Sequence, residues 1–74
     1  MNERRLKAKC VEANVNVESL AKALNISVST YYRKLAKNAF TVKEVIEIAN
    51  CLQLSATEVI YIFFNELSRI NETS

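Results

Sequence analysis

A chain of 74 residues, half of them hydrophobic, is expected to make one domain over residues 1–74, near the lower size at which a core supports folding without staples. It contains no His, Asp, Gly, Pro or Trp, which removes Ser-His-Asp and Cys-His catalysis and the glycine-rich phosphate loops. Cys10 and Cys51 are too few and too distant for a zinc knuckle or a redox pair. The expectation is a protein that is not an enzyme and has no cofactor or metal. No apolar run reaches the roughly 18 residues a membrane span needs, and no secretory leader is legible, so a cytoplasmic protein without membrane contact is expected.

The net charge of +2 is unevenly spread. Residues 1–37 carry eight cations against three carboxylates, and residues 38–74 carry two against five. A basic half and an acidic half match a surface that faces phosphate and another that faces solvent or a partner.

The periodicity predicts an all-α chain. The first helix is expected near residues 2–13, where Leu6 and Cys10 are four apart with Val11 beside them, and Arg4, Arg5, Lys7 and Lys9 cover the other faces. Four later helix starts share one device, in which an apolar residue precedes a capping residue and a second apolar residue follows five positions after the first. The sets are Val15, Asn16, Leu20; Ile26, Ser27, Tyr31; Phe40, Thr41, Val45; and Leu54, Ser55, Val59, with Glu44 and Glu58 completing capping boxes in the last two. They predict helices near 17–24, 28–36, 42–52 and 56–70.

The second and third of these helices form the centre of the chain. Leu20, Ala21 and Leu24 line one side of the second, Asn25 supplies the left-handed backbone that ends it, and Ser27 caps the next. If Tyr31 and Leu35 mark the buried side of the third helix, a rotation of 100° per residue puts Ser29, Arg33 and Ala36 outward, flanked by Tyr32 and Lys37. Arg, Ser and Ala are plausible groove-facing residues.

Residues 59–64, VIYIFF, have the composition of a strand, but the capping box before them and the spacing of Ile60, Phe64 and Leu67 with Val59, Phe63 and Ile70 favour a helix. One side of a terminal helix cannot bury so many apolar residues in a small domain. Tyr61, Ile62, Phe64 and Leu67 are therefore expected to meet a second copy of the chain. Ile48 and Cys51, read as lying off the stripe of Val45, Ala49 and Leu52, support the same expectation.

The stretch ESLAKALNISVSTYYRKL followed by FTVKEVIEIANCLQLS resembles the DNA-binding domain of lambda-repressor and Cro-like (XRE-type) helix-turn-helix regulators of bacteriophages and mobile elements, over residues 4–67. Leu20-Ala21, the corner from Asn25 to Ser27, the STYYRKL segment and the IAxxLxLS pattern at Ile48 to Ser55 carry the likeness. It implies a compact five-helix lambda-repressor-like domain with the helix-turn-helix at its second and third helices. Such a domain would be a sequence-specific transcriptional regulator, repressor or Cro-like, binding operator DNA as a homodimer.

By that resemblance Val28, Ser29, Tyr32 and Arg33 would meet base edges. The family's phosphate clamp would fall at Asn16, Val17 and Glu18 and at Lys37 and Asn38, with Thr30 also at the DNA, and Lys22, Lys34 and Lys43 are taken as further phosphate contacts. Two departures stand out. Val17 replaces a frequent Gln and cannot hydrogen-bond phosphate through its side chain, so backbone amides near Asn16 would have to serve. Asn25 replaces the usual Gly. Val17, the modest charge and the apolar fifth helix keep open an alternative, a protein-interaction module of antirepressor, co-regulator or antitoxin type on the same fold.

Overall fold

The computed structural model describes residues 1–64. Among them it is all-α: α1 (Glu3–Ala13), α2 (Val17–Ala23), α3 (Val28–Lys37), α4 (Val42–Leu52) and α5 (Ala56–Phe63). The expected starts hold because each is set locally. Asn16, Ser27, Thr41 and Ser55 each accept the amide of the third residue beyond, at 2.8, 3.1, 3.1 and 3.2 Å. Asn2 does the same for Arg5, which makes it the cap of α1. Glu44 and Glu58 reach back to the amides of Thr41 and Ser55, both at 2.9 Å, so both capping boxes close.

The helix ends follow a rule that the missing glycines conceal. Asn14, Asn25, Asn38 and Gln53 all adopt positive φ, between 51° and 60°. At each, the left-handed residue donates to the carbonyl three back and its successor to the carbonyl five back, as in Val15 to Cys10 and Ile26 to Ala21. In three corners that successor is apolar, packs partly buried on the core, and immediately precedes the next cap: Asn14-Val15-Asn16, Asn25-Ile26-Ser27 and Gln53-Leu54-Ser55. The connection from α3 to α4 has one residue more, Asn38-Ala39-Phe40-Thr41. The extra residue lets Phe40 lie between Tyr31 and Phe63, with ring centroids 5.6 and 6.3 Å away.

One core gathers residues from all five helices: Leu6, Cys10, Leu20, Ala21, Tyr31, Val45, Ile48, Leu52, Ile62 and Phe63. Two expectations are corrected by it. Ile48 is fully buried, since Val45, Ile48 and Leu52 fall within one stripe at steps of three and four. Ile62, expected at a dimer interface, is also fully buried and has no surface to offer, whereas its neighbours Tyr61 and Phe64 remain 43% and 40% exposed. The helix expected over 56–70 ends at Phe63. Leu67 and Ile70 lie outside the described residues.

α5 is tied to α1 along one flank. The Asn2 amide donates to the Ile62 carbonyl at 2.7 Å, Lys9 pairs with Glu58, and the Arg5 guanidinium sits 5.4 Å from the Tyr61 ring centre. α3, by contrast, contributes only Tyr31 to the buried core and lies closest to α2. No helix among the described residues is long and apolar enough to cross a membrane.

Candidate nucleic-acid interface

α3 turns one polar face outward. Tyr31 is buried and Leu35 packs partly buried on the core, which leaves Val28, Ser29, Tyr32, Arg33, Ala36 and Lys37 exposed. The Tyr32 ring stands edge-on to Tyr31, centroids 5.6 Å apart, so its base is braced while its hydroxyl end is free. Thr30 is half-buried, and its hydroxyl oxygen accepts from Ser27 at 2.9 Å, which leaves its proton free to donate to an outside acceptor.

Surface depressions show which other residues share this side. Glu18, Lys22, the Asn25-Ser27 corner and Val28 line one hollow where α2 meets α3. Glu3, Arg4 and Lys7 of α1, Val17 at the start of α2, and Tyr32 line another, a groove of about 480 Å³ with Leu6, Cys10, Tyr31 and Leu35 in its floor. Val17 is therefore half-buried at an apolar groove edge, and its side chain packs on the core instead of facing a phosphate. Asn16 uses its side-chain oxygen as the cap of α2, which leaves its amide group as the outward donor.

One of the expected phosphate contacts is drawn elsewhere. Lys34 turns away from the outer face and donates to both carboxylate oxygens of Glu44 on α4, at 2.8 and 2.7 Å. Lys43 is exposed and shares a hollow with Glu44 and Glu47. Lys37, Asn38 and Lys22 are exposed. Among the described residues no carboxylate lies within ion-pair distance of Arg4, Lys7, Lys22, Arg33 or Lys37.

The cations of α1, equivalent in sequence, are sorted by the packing. Arg4 and Lys7 border the α1–α3 groove, whereas Arg5 covers Tyr61 and Lys9 pairs with Glu58 and, at 3.7 Å, Glu12. Helical spacing alone could not have separated these pairs, because which flank of α1 meets α5 is a tertiary fact.

The electrostatics follow these pairings. The Lys9 ammonium, with the Ser55 amide, holds the Glu58 carboxyl at about 2, and Glu58 in turn raises Lys9. Burial works to raise Glu44, but the Lys34 ammonium and the Thr41 amide outweigh it and hold the carboxyl below the usual range. Burial pushes Tyr31 up to about 12 and raises the Cys10 thiol, so neither is ionised at neutral pH. Both cysteines are free, and the described residues contain no cluster of three or more His, Cys, Asp or Glu side chains able to hold a metal.

A second surface lies beside α5. Glu44 and Glu47 mark the flank of α4 that faces α2 and α3, and Glu58 and Tyr61 mark the flank of α5 that faces α1. A rotation of 100° per residue puts the opposite flanks of both helices outward. They carry Val42 and Ile46, 71% and 54% exposed, and Ile60 and Phe64. Val42 and Ile46 are one turn apart on a helix.

Comparison with known proteins finds no matching family model, no curated protein and no solved structure similar to this chain.

Proposed function

We propose that this chain is a sequence-specific DNA-binding regulator of repressor or Cro-like type that reads the major groove with α3. The observation that carries the reading is the composition of one face. Ser29, Tyr32 and Arg33 stand out from α3, and around them lie Arg4, Lys7, Lys22 and Lys37, cations with no carboxylate partner among the described residues, which outnumber the two carboxylates on the same side, Glu3 and Glu18. An α-helix about 10–12 Å across with its side chains fits a groove about 12 Å wide. Arg33 can bond two guanine acceptors at once, Ser29 can donate or accept, and Val28 suits a thymine methyl. The surrounding cations supply the sequence-independent affinity.

The protein acts as a homodimer in this reading, joined along the outward flanks of α4 and α5 through Val42, Ile46 and Phe64. Tyr61 is a rim residue occupied by Arg5. Two reading helices related by a two-fold axis would meet half-sites about one helical turn apart, or a multiple of it. Selection from a pool of random duplexes at about 0.15 M salt tests the whole proposal. Enrichment of a two-fold symmetric sequence supports it, and a folded protein that enriches nothing refutes it.

The position of Val17 favours one second reading. The groove it borders has an apolar floor of the kind that receives a side chain from a protein partner. Recovery of a single stoichiometric protein, without DNA, would favour an interaction module.

A further inference from the structure

The ion pair between α3 and α4 lies at the end of α3 far from the α2 corner. Glu44 and Lys34 are the least exposed ion-paired side chains among the described residues, 13% and 22%. Lys34 engages both sides of the loop 38–41. Its carbonyl accepts the Ala39 amide at 2.8 Å, and its ammonium holds Glu44, whose Oε1 also accepts the Thr41 amide at 2.9 Å. Tyr31, the one buried residue of α3, leans on Phe40 in the same loop. The start of α3 is fixed by the tight Asn25-Ile26-Ser27 corner, and its far half by these two attachments.

We infer that Lys34 and Glu44 are positioning residues, a clamp that fixes the angle at which α3 meets a groove and so governs discrimination between sequences instead of general DNA affinity. This rests on the DNA-reading function proposed above. The lever is short but sufficient. At a rise of 1.5 Å per residue, Arg33 lies about 9 Å from Ser27, and a tilt of about 5° moves it about 0.8 Å. Base-reading contacts tolerate about 0.5 Å. An ammonium chelated by one carboxylate is also withheld from phosphates. Lys34 is thus a cation on the reading helix that contributes nothing to the salt dependence of binding.

Two variants separate the clamp from its surroundings. Glu44→Gln keeps an acceptor for the capping box, and Lys34→Met keeps the apolar stem. Binding of each, and of the double variant, to the selected duplex and to random duplex is measured against salt, together with amide hydrogen exchange of the free protein. Each single variant should lower the ratio of selected to random affinity about tenfold, the loss of roughly one well-aligned base contact. The double variant should be no worse. Lys34→Met should leave the salt slope unchanged, and Glu44→Gln, which frees the ammonium, should steepen it by about 0.9. Exchange at Ala39 and Thr41 should quicken in both.

Equal weakening on both duplexes with a slope shallower by about 0.9 in Lys34→Met would make Lys34 a phosphate contact and overturn the inference. An unchanged affinity ratio would overturn it as well. If wild-type protein folds but selects no duplex, the DNA reading fails and takes the role in discrimination with it. The exchange measurement then decides separately whether the two residues hold the loop.

Discussion

Gln53 is the residue whose replacement most directly tests how this chain turns its corners. It stands at φ 54° and ψ 47°, exposed, between α4 and α5, and away from the face of α3. A side chain with Cβ in that region costs about 1–2 kcal/mol, which Asn reduces by bonding locally and Gly avoids. Gly also enlarges the entropy of the unfolded chain, which offsets about 0.4–1 kcal/mol of the gain. Gln53→Gly should therefore stabilise the domain by about 0.5–1 kcal/mol, while Asn25→Gly, starting from a residue already suited to the conformation, should change it by only a few tenths. For a chain of this size the Gln53 gain corresponds to about 2–8 °C in Tm. Urea and thermal unfolding followed by circular dichroism measure both variants. If Gln53→Gly is no more stable than wild type, or Asn25→Gly gains as much, the left-handed corner is not the source of the strain. DNA affinity serves as a control, since a substitution this far from α3 should leave it unaltered.

Three other outcomes are expected. Arg33→Ala should lose about 1–3 kcal/mol on the selected duplex and relax preference at one base position, and an equal loss on random DNA would reduce Arg33 to a phosphate contact. Glu58 and Glu44 are both held below the ordinary carboxylate value of about 4.3, so the stability they contribute is complete above it and declines as pH falls, for Glu58 down to about 2. Tm measured from pH 6 to pH 2 should fall with a gentler slope in Glu58→Gln, and parallel curves would show that the Lys9 pair carries no linkage. Ile46→Lys should give a monomer by sedimentation with an unchanged helical spectrum, whereas Ile62→Ala should destabilise the fold by about 2–5 kcal/mol. A dimer that survives Ile46→Lys would remove the outward flanks of α4 and α5 from the proposal.

Much of the fold was legible because helix ends are local. A cap, its amide three residues on, and a left-handed residue with carbonyls three and five back all lie within a few positions, so Asn16, Ser27, Thr41 and Ser55 announce their helices. Asn25 was recognisable as a corner for that reason, and Asn14 and Asn38 carry the same signal once Gly is absent, whereas Gln53 does not. The outward face of α3 was legible too, since Tyr31 and Leu35 orient the helix by themselves. What stayed hidden depends on which flank of a helix meets a neighbour. Ile48 and Ile62 looked like candidates for a partner's surface until the packing of α4 and α5 enclosed them. Lys34 looked like a phosphate ligand until α4 brought Glu44 beside it, and Arg4 and Arg5 were alike until α5 took one of them. Backbone bonding at helix ends reaches only a few residues along the chain and is written in their order. Charge pairing and burial depend on distances across the core, which exist only after the helices have chosen their rotations and crossing angles.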